Sequence, residues 1–206
     1  LFIIAQKETG SALVYISFFL MFYREGMTGS ILVTGVAMII YFVVGIRYEN
    51  IFLLDTSTSI GKFAVLLLVQ AFSSAFIYVY CKNKPQALYV LGYSVMVTLL
   101  SFLFAEFVIP FDIVWVQLIS CAVLIGYLFY QWLSKRIANY LYIMLFTIGS
   151  IVFFYSADYV LNNIMEPHQR VRINVLLGLD EDLAGAGYNV HQSEIAIGSG
   201  GLKGKG

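Results

Sequence analysis

The sequence predicts an all-α, polytopic membrane protein: a bundle of about six transmembrane helices followed by a polar, extracytoplasmic segment with short amphipathic helices. Three observations carry this. The chain is 60% hydrophobic and only 12% charged over 206 residues, roughly half the charge fraction of a soluble domain. Its mean hydropathy is +0.84. The apolar residues also fall into runs close to the roughly 20 needed to cross a bilayer as a helix, the form that satisfies every backbone polar group within the segment.

The spans follow in order as Ser11–Tyr23, Thr28–Ile46, Lys62–Tyr80, Ala87–Val108, Ile113–Leu133 and Tyr140–Leu161. Leu1–Ala5 reads as the tail of a preceding span, and Ser11–Tyr23 is short enough to need flanking residues to cross. Leu1 and Gly206 both read as cuts, so a longer parent chain is expected. The division is a transmembrane region over 1–162 and a loop over 163–206.

Basic residues set the orientation. Arg24, Lys82 with Lys84, and Lys135 with Arg136 occupy alternate connections, whereas the others carry Glu8 with Lys7, Glu49 and Asp55 with Arg47, and Asp112. The cytoplasm therefore takes the first set, and residues after Leu161 emerge on the outer face. Zero net charge argues against nucleic acid, whose phosphates need a basic surface. Cys81 and Cys121 lie in or beside apolar runs and read as small hydrophobes, and His168 and His191 lack metal-site spacing.

Within the polar segment, Arg170 and Arg172 alternate with Val171, Ile173 and Val175, a pattern suited to the water–lipid boundary. "LAGAGY" supplies glycine turns. Asn189 is placed to cap a helix over Val190–Ile197, ended by Gly198. The closing "GSGGLKGKG" fails as a nucleotide phosphate loop: Ser199 stands where the first glycine belongs, and Gly206 where Ser or Thr belongs. What survives is glycine backbone open to an anion beside Lys203 and Lys205, against the plainer reading of a solvated flexible loop. Glu106 and Asp158, near span ends, read as headgroup-level acids. Gln70, Gln117 and Gln131 read as interhelical hydrogen-bonders, or as the lining of a lipid path if the protein is a transporter.

The segment "EPHQRVRI…GLDEDLAGAGYNVHQSEIAIGSGGLKGKG" closely resembles the extracytoplasmic loop of the SEDS (RodA/FtsW) family. The matching residues are Gln169-Arg170, Arg172, Asp180, Gly185, Gly187-Tyr188, Gln192-Ser193 and Ile195–Gly206. Gln6-Lys7-Glu8-Thr9-Gly10-Ser11 resembles the family's Gln-Pro-Asp-x-Gly-Thr/Ser, with Lys7 for the proline and Glu8 for the aspartate. "LDEDLAG" lacks the family's prolines. The family has fewer helices between these motifs, so 48–136 reads as an added block, similar to Bacteroidetes-type members.

The resemblance implies a peptidoglycan glycosyltransferase of the bacterial cytoplasmic (inner) membrane. Such an enzyme polymerises lipid II into a nascent glycan strand for elongation and rod shape, beside a class B penicillin-binding protein. It implies substrate contacts at Gln192, Ser193, Ser199, Lys203 and Lys205, with Arg170 and Arg172 on anionic headgroups. Glu8 is a candidate cation ligand or support for the catalytic aspartate; a divalent cation is an open cofactor, and no other is implied. That aspartate sits in the family's Pro-Glu-x-His-Thr-Asp-Phe, beyond Gly206, so the stretch alone is expected to be inactive. Two alternatives stand: a lipid II flippase, or a noncatalytic scaffold activating the penicillin-binding protein.

Overall fold

A computed structural model describes residues 21–53, 57–107, 111–179, 188–200 and 204. Among them, five helices are long and apolar enough to cross a membrane. They are α1 (Gly29–Arg47), α2 (Ile60–Tyr80), α3 (Lys84–Phe107), α4 (Ile113–Lys135) and α5 (Ala138–Tyr159). Each overlaps an expected span with ends shifted by a few residues. The expected span Ser11–Tyr23 lies outside the described residues except for a helical turn at 21–24. Two compact units divide the chain at Ile40 and Tyr41. In the first, Gly26 takes φ +105° before α1 starts, a conformation that favours glycine.

In the second unit, α2 to α5 pack as an antiparallel up-and-down bundle. Connections of three, five and two residues make neighbouring helices run antiparallel. Between α2 and α3 the chain turns at Lys82 in the left-handed region, and Asn83 Oδ1 accepts the Gln86 N–H at 3.2 Å. Arg136, also left-handed, caps α4 by donating its N–H to Trp132 O. At the opposite end, the Asp112 carboxylate caps α4 through the Val114 N–H at 3.0 Å. Between α1 and α2, Phe52 bridges to Ser59, and Ser59 Oγ donates to Glu49 O at 2.8 Å.

Helices in lipid gain little from hydrophobic burial against one another, so close packing and polar contacts hold them. Both operate here. Phe76, Ile77, Val90, Leu124, Leu128 and Ile143 make one apolar cluster. Between the helices runs a polar seam. Gln70 Nε2 donates to Gln117 Oε1 at 3.0 Å, Gln117 Nε2 donates to Thr98 Oγ1 at 2.9 Å, and Ser73 and Thr147 share a 2.8 Å hydroxyl contact. Gln131, expected to bond between helices, instead donates to Tyr127 Oη at 2.9 Å within α4. Gln70 and Gln117 are fully buried and bond each other, which favours interhelical contact over a polar path. Gly61 is buried so closely against α1 that any side chain there would strike the Gly45 carbonyl.

The alternation of the helices sorts charge between the two ends of the bundle. Lys82, Lys84, Lys135 and Arg136 gather at one end, in connections that contain no acid. Lys84 and Lys135 rest over the Tyr78 and Tyr140 rings at 5.8 and 5.5 Å. Arg47, Glu49, Lys62, Glu106, Asp112 and Asp158 stand at the other.

Candidate functional site

The acid-bearing end is where α5 leaves the bundle, and its chemistry begins with three ionisable residues from three elements. Glu49 follows α1, Lys62 lies in the first turn of α2 and Asp158 in the last turn of α5. Antiparallel packing puts those termini side by side. Lys62 Nζ stands 3.7 Å from Asp158 Oδ2. Together with Phe42, Gly45 and Phe154 they enclose a hollow of about 10 Å³, room for roughly one water. Burial, then the like charge of Asp158, raises the Glu49 carboxyl above the usual carboxylate range, while Lys62 pulls it back. Asp158 stands at the span end as expected, and there it pairs with Lys62. Glu106, by contrast, is exposed.

Beyond Asp158 the helix widens into a π-type turn over Val160–Ile164, closed by Met165 N–H donating to Val160 O at 2.9 Å. A wide turn leaves carbonyls without their α-helical partners. Arg170 supplies them: Nε and Nη2 donate to Leu161 O at 3.0 and 2.8 Å, and Nη2 also donates to Asn162 O. Asn162 Nδ2 donates back to Asp158 Oδ1 at 2.8 Å. Arg170 sits on α6 (Pro167–Leu176), which opens with proline in its first turn. It closes in a glycine motif: Gly178 at φ +66°, with Leu179 N–H donating to Asn174 O at 2.8 Å. Arg172 on the same helix is exposed.

The next described element is α7, Tyr188–Gly200. Two expectations are corrected here. Asn189 lies inside the helix rather than capping it, and Gly198 does not end it. Gly198 is not among the glycines at positive φ, so it makes no left-handed cap, and glycine inside a helix costs only about 1 kcal/mol relative to alanine. Gln192 and Ser193 are exposed, as is Ser199, whose Oγ donates to Ala196 O at 3.2 Å. Gln192 and Ser199 are about two turns apart and so share a helix face, with Ser193 roughly 100° away. Gly204 is exposed at φ +72°. Glu8, Lys203 and Lys205 lie outside the described residues, as does the "LAGAGY" turn apart from Tyr188. The polar joint Glu49–Lys62–Asp158–Asn162–Arg170 is what sequence reading missed. Its signal was there: Lys62 and Asp158 are ionisable residues at span ends that alternation brings to one side.

With this geometry in view, the comparisons with known proteins are informative. The sequence profile of the FtsW/RodA/SpoVE family, described as cell cycle protein, matches residues 98–206, from the middle of α3 onward. A protein named peptidoglycan glycosyltransferase MrdB from Escherichia coli K12 is 56% identical over 43 residues, 21% of this chain and 12% of that protein. One named peptidoglycan glycosyltransferase RodA from Treponema pallidum is 34% identical over 87 residues, 42% of this chain and 19% of its own length. The chain therefore spans only a minor part of the curated relatives it matches. No solved structure gives a significant match. A match over more than half of the chain, on top of a helical membrane bundle, establishes that this protein belongs to the FtsW/RodA/SpoVE family.

Proposed function

We propose that the whole protein is a peptidoglycan glycosyltransferase that polymerises lipid II at the outer face of the bacterial cytoplasmic membrane, serving cell-wall elongation. The observation that carries this is the family match through residue 206, which takes in α7 and the glycine–lysine run after it. The sorting of charge supports the orientation. The end with Lys82, Lys84, Lys135 and Arg136 suits the cytoplasm, leaving α6 and α7 outside, where donor and acceptor sugars meet.

Glycosyl transfer needs a base for the acceptor hydroxyl and positive charge for the departing pyrophosphate. In this reading Lys203, Lys205 and the adjoining glycine amides receive the diphosphate, and the exposed Gln192, Ser193 and Ser199 contact the glycan. Arg170 and Arg172 meet anionic headgroups, Arg170 while also holding the wide turn. Glu8 binds a cation or supports the catalytic aspartate. The nascent strand and a class B penicillin-binding protein are the partners. Residues 48–136 are read as added helices.

The test is lipid II polymerisation by the full-length protein in proteoliposomes. Lys203→Ala with Lys205→Ala should lower turnover roughly 10²-fold, and Glu8→Gln should abolish it; wild-type rates would remove those assignments. A lipid II flippase would move labelled lipid without making glycan. A scaffold would support growth without its catalytic aspartate.

A further inference from the structure

The joint at the exit of α5 has a property that the family match does not assign. Asp158 lies inside the matched range, whereas Glu49 and Lys62 precede it. The chain of contacts is continuous: Lys62 Nζ to Asp158 Oδ2 at 3.7 Å, Asp158 Oδ1 from Asn162 Nδ2 at 2.8 Å, and Arg170 onto the Leu161 and Asn162 carbonyls. One carboxylate thus faces a cation from α2 with one oxygen and the wide turn with the other. The turn is then joined to α6 by the guanidinium.

The side chains of Lys62 and Asp158 are 32% and 20% exposed, so water and salt screen the pair only in part. Glycine packing keeps the partners in reach. Gly45 lies directly under the Phe154 ring, and Gly61 against the Gly45 carbonyl, so the start of α2 and the end of α5 both sit close on α1. A 5-residue wide turn is the least regular part of this path. Its direction depends on what holds each side of it.

We propose that Lys62 and Asp158 form an electrostatic clasp that sets the direction in which the chain leaves α5, making both positioning residues for the segment that begins at α6. The clasp rests on the glycosyltransferase reading only for its effect on turnover; its effect on the backbone stands apart from it. Lys62 acts through Asp158 and Asn162 on the turn. It touches no substrate.

The experiment uses the full-length protein in proteoliposomes, with two measurements: lipid II polymerisation and hydrogen exchange of the amides at 160–176. Lys62→Met should speed exchange at 160–176 roughly tenfold while the interior of α2–α5 stays protected. It should lower kcat roughly 3- to 30-fold at unchanged KM, the range of coupling through such a contact. Lys62→Arg, which keeps the cation opposite Asp158, should retain both, and Asp158→Asn serves as the second single variant if Lys62→Met does not fold. Unchanged exchange at 160–176 in the single variants would overturn the clasp. So would faster exchange throughout the bundle, or a Lys62→Arg protein as impaired as Lys62→Met. Faster exchange with unchanged kcat would overturn the positioning role. Absence of polymerisation by the wild-type protein would strike the glycosyltransferase reading instead, and the exchange measurement would then decide the clasp alone.

Discussion

Replacing Gln117 by leucine, a side chain of similar volume, tests what holds the bundle together. Gln117 is fully buried. It accepts from Gln70 Nε2 at 3.0 Å and donates to Thr98 Oγ1 at 2.9 Å. Leucine removes both bonds. Thr98 keeps its own bond to Ser94 O at 2.8 Å, so its hydroxyl stays satisfied. Gln70 Nε2 is left with Cys121 Sγ at 3.4 Å, a weak acceptor. Two interhelical bonds in lipid are worth about 0.6 kcal/mol each on average, and a poorly satisfied buried amide adds about 1 kcal/mol. The expected loss is therefore about 2 kcal/mol. Removing Gln70 as well takes away the stranded Nε2; the Ser120 Oγ that loses Gln70 Oε1 at 3.4 Å does so in the Gln70→Leu single too, so Gln70→Leu with Gln117→Leu should cost about 1 kcal/mol less than the two single losses together. Reversible unfolding in mixed micelles with rising SDS measures all three variants. Additive losses, or a Gln117→Leu protein at least as stable as wild type, would refute the account of the seam as interhelical glue.

Two further outcomes are expected. The folded state raises the Glu49 carboxyl, by burial and then by Asp158, so it holds that proton to higher pH than the unfolded chain does. The stability linked to this group is present at low pH and is lost as pH rises through the raised pKa. Glu49→Gln should match wild type near the ordinary carboxylate range and gain on it toward neutrality, as measured by thermal unfolding across about pH 4 to 8; a difference that ignores pH would contradict this. Gly61→Ala should lose about 1–3 kcal/mol, because its Cβ would press on the Gly45 carbonyl and come within 3.0 Å of the Tyr48–Glu49 backbone. Gly126→Ala meets no atom within 4 Å and should be neutral or slightly stabilising in the same thermal assay.

The spans were legible because crossing a bilayer leaves one strong signal, an uninterrupted apolar run of fixed length. Ile113 opens α4 where its apolar run opens, and Tyr80 closes α2 where its run closes. The gathering of Lys82, Lys84, Lys135 and Arg136 at one end of the bundle was legible, since short connections alternate ends. Two features were hidden for opposite reasons. Gly198 carries an end signal that depends on its φ, and sequence alone does not say whether a glycine will use its freedom. Lys62 and Asp158 each looked ordinary, and their meaning comes from a contact across 96 positions of sequence that only helix packing supplies. Gln70 and Gln117 lie between these cases: their burial suits interhelical bonding, while their pairing needed the register of α2 against α4.

The widened turn at 160–164 makes chain length a rotational setting. In a helix each residue adds about 100° of azimuth and 1.5 Å of rise. Dropping one residue there would convert the turn to ordinary α-helix and swing everything downstream around the α5 axis by that angle, while most substitutions would leave the heading alone. Insertions and deletions in this short stretch should therefore be far more damaging than changes of residue type.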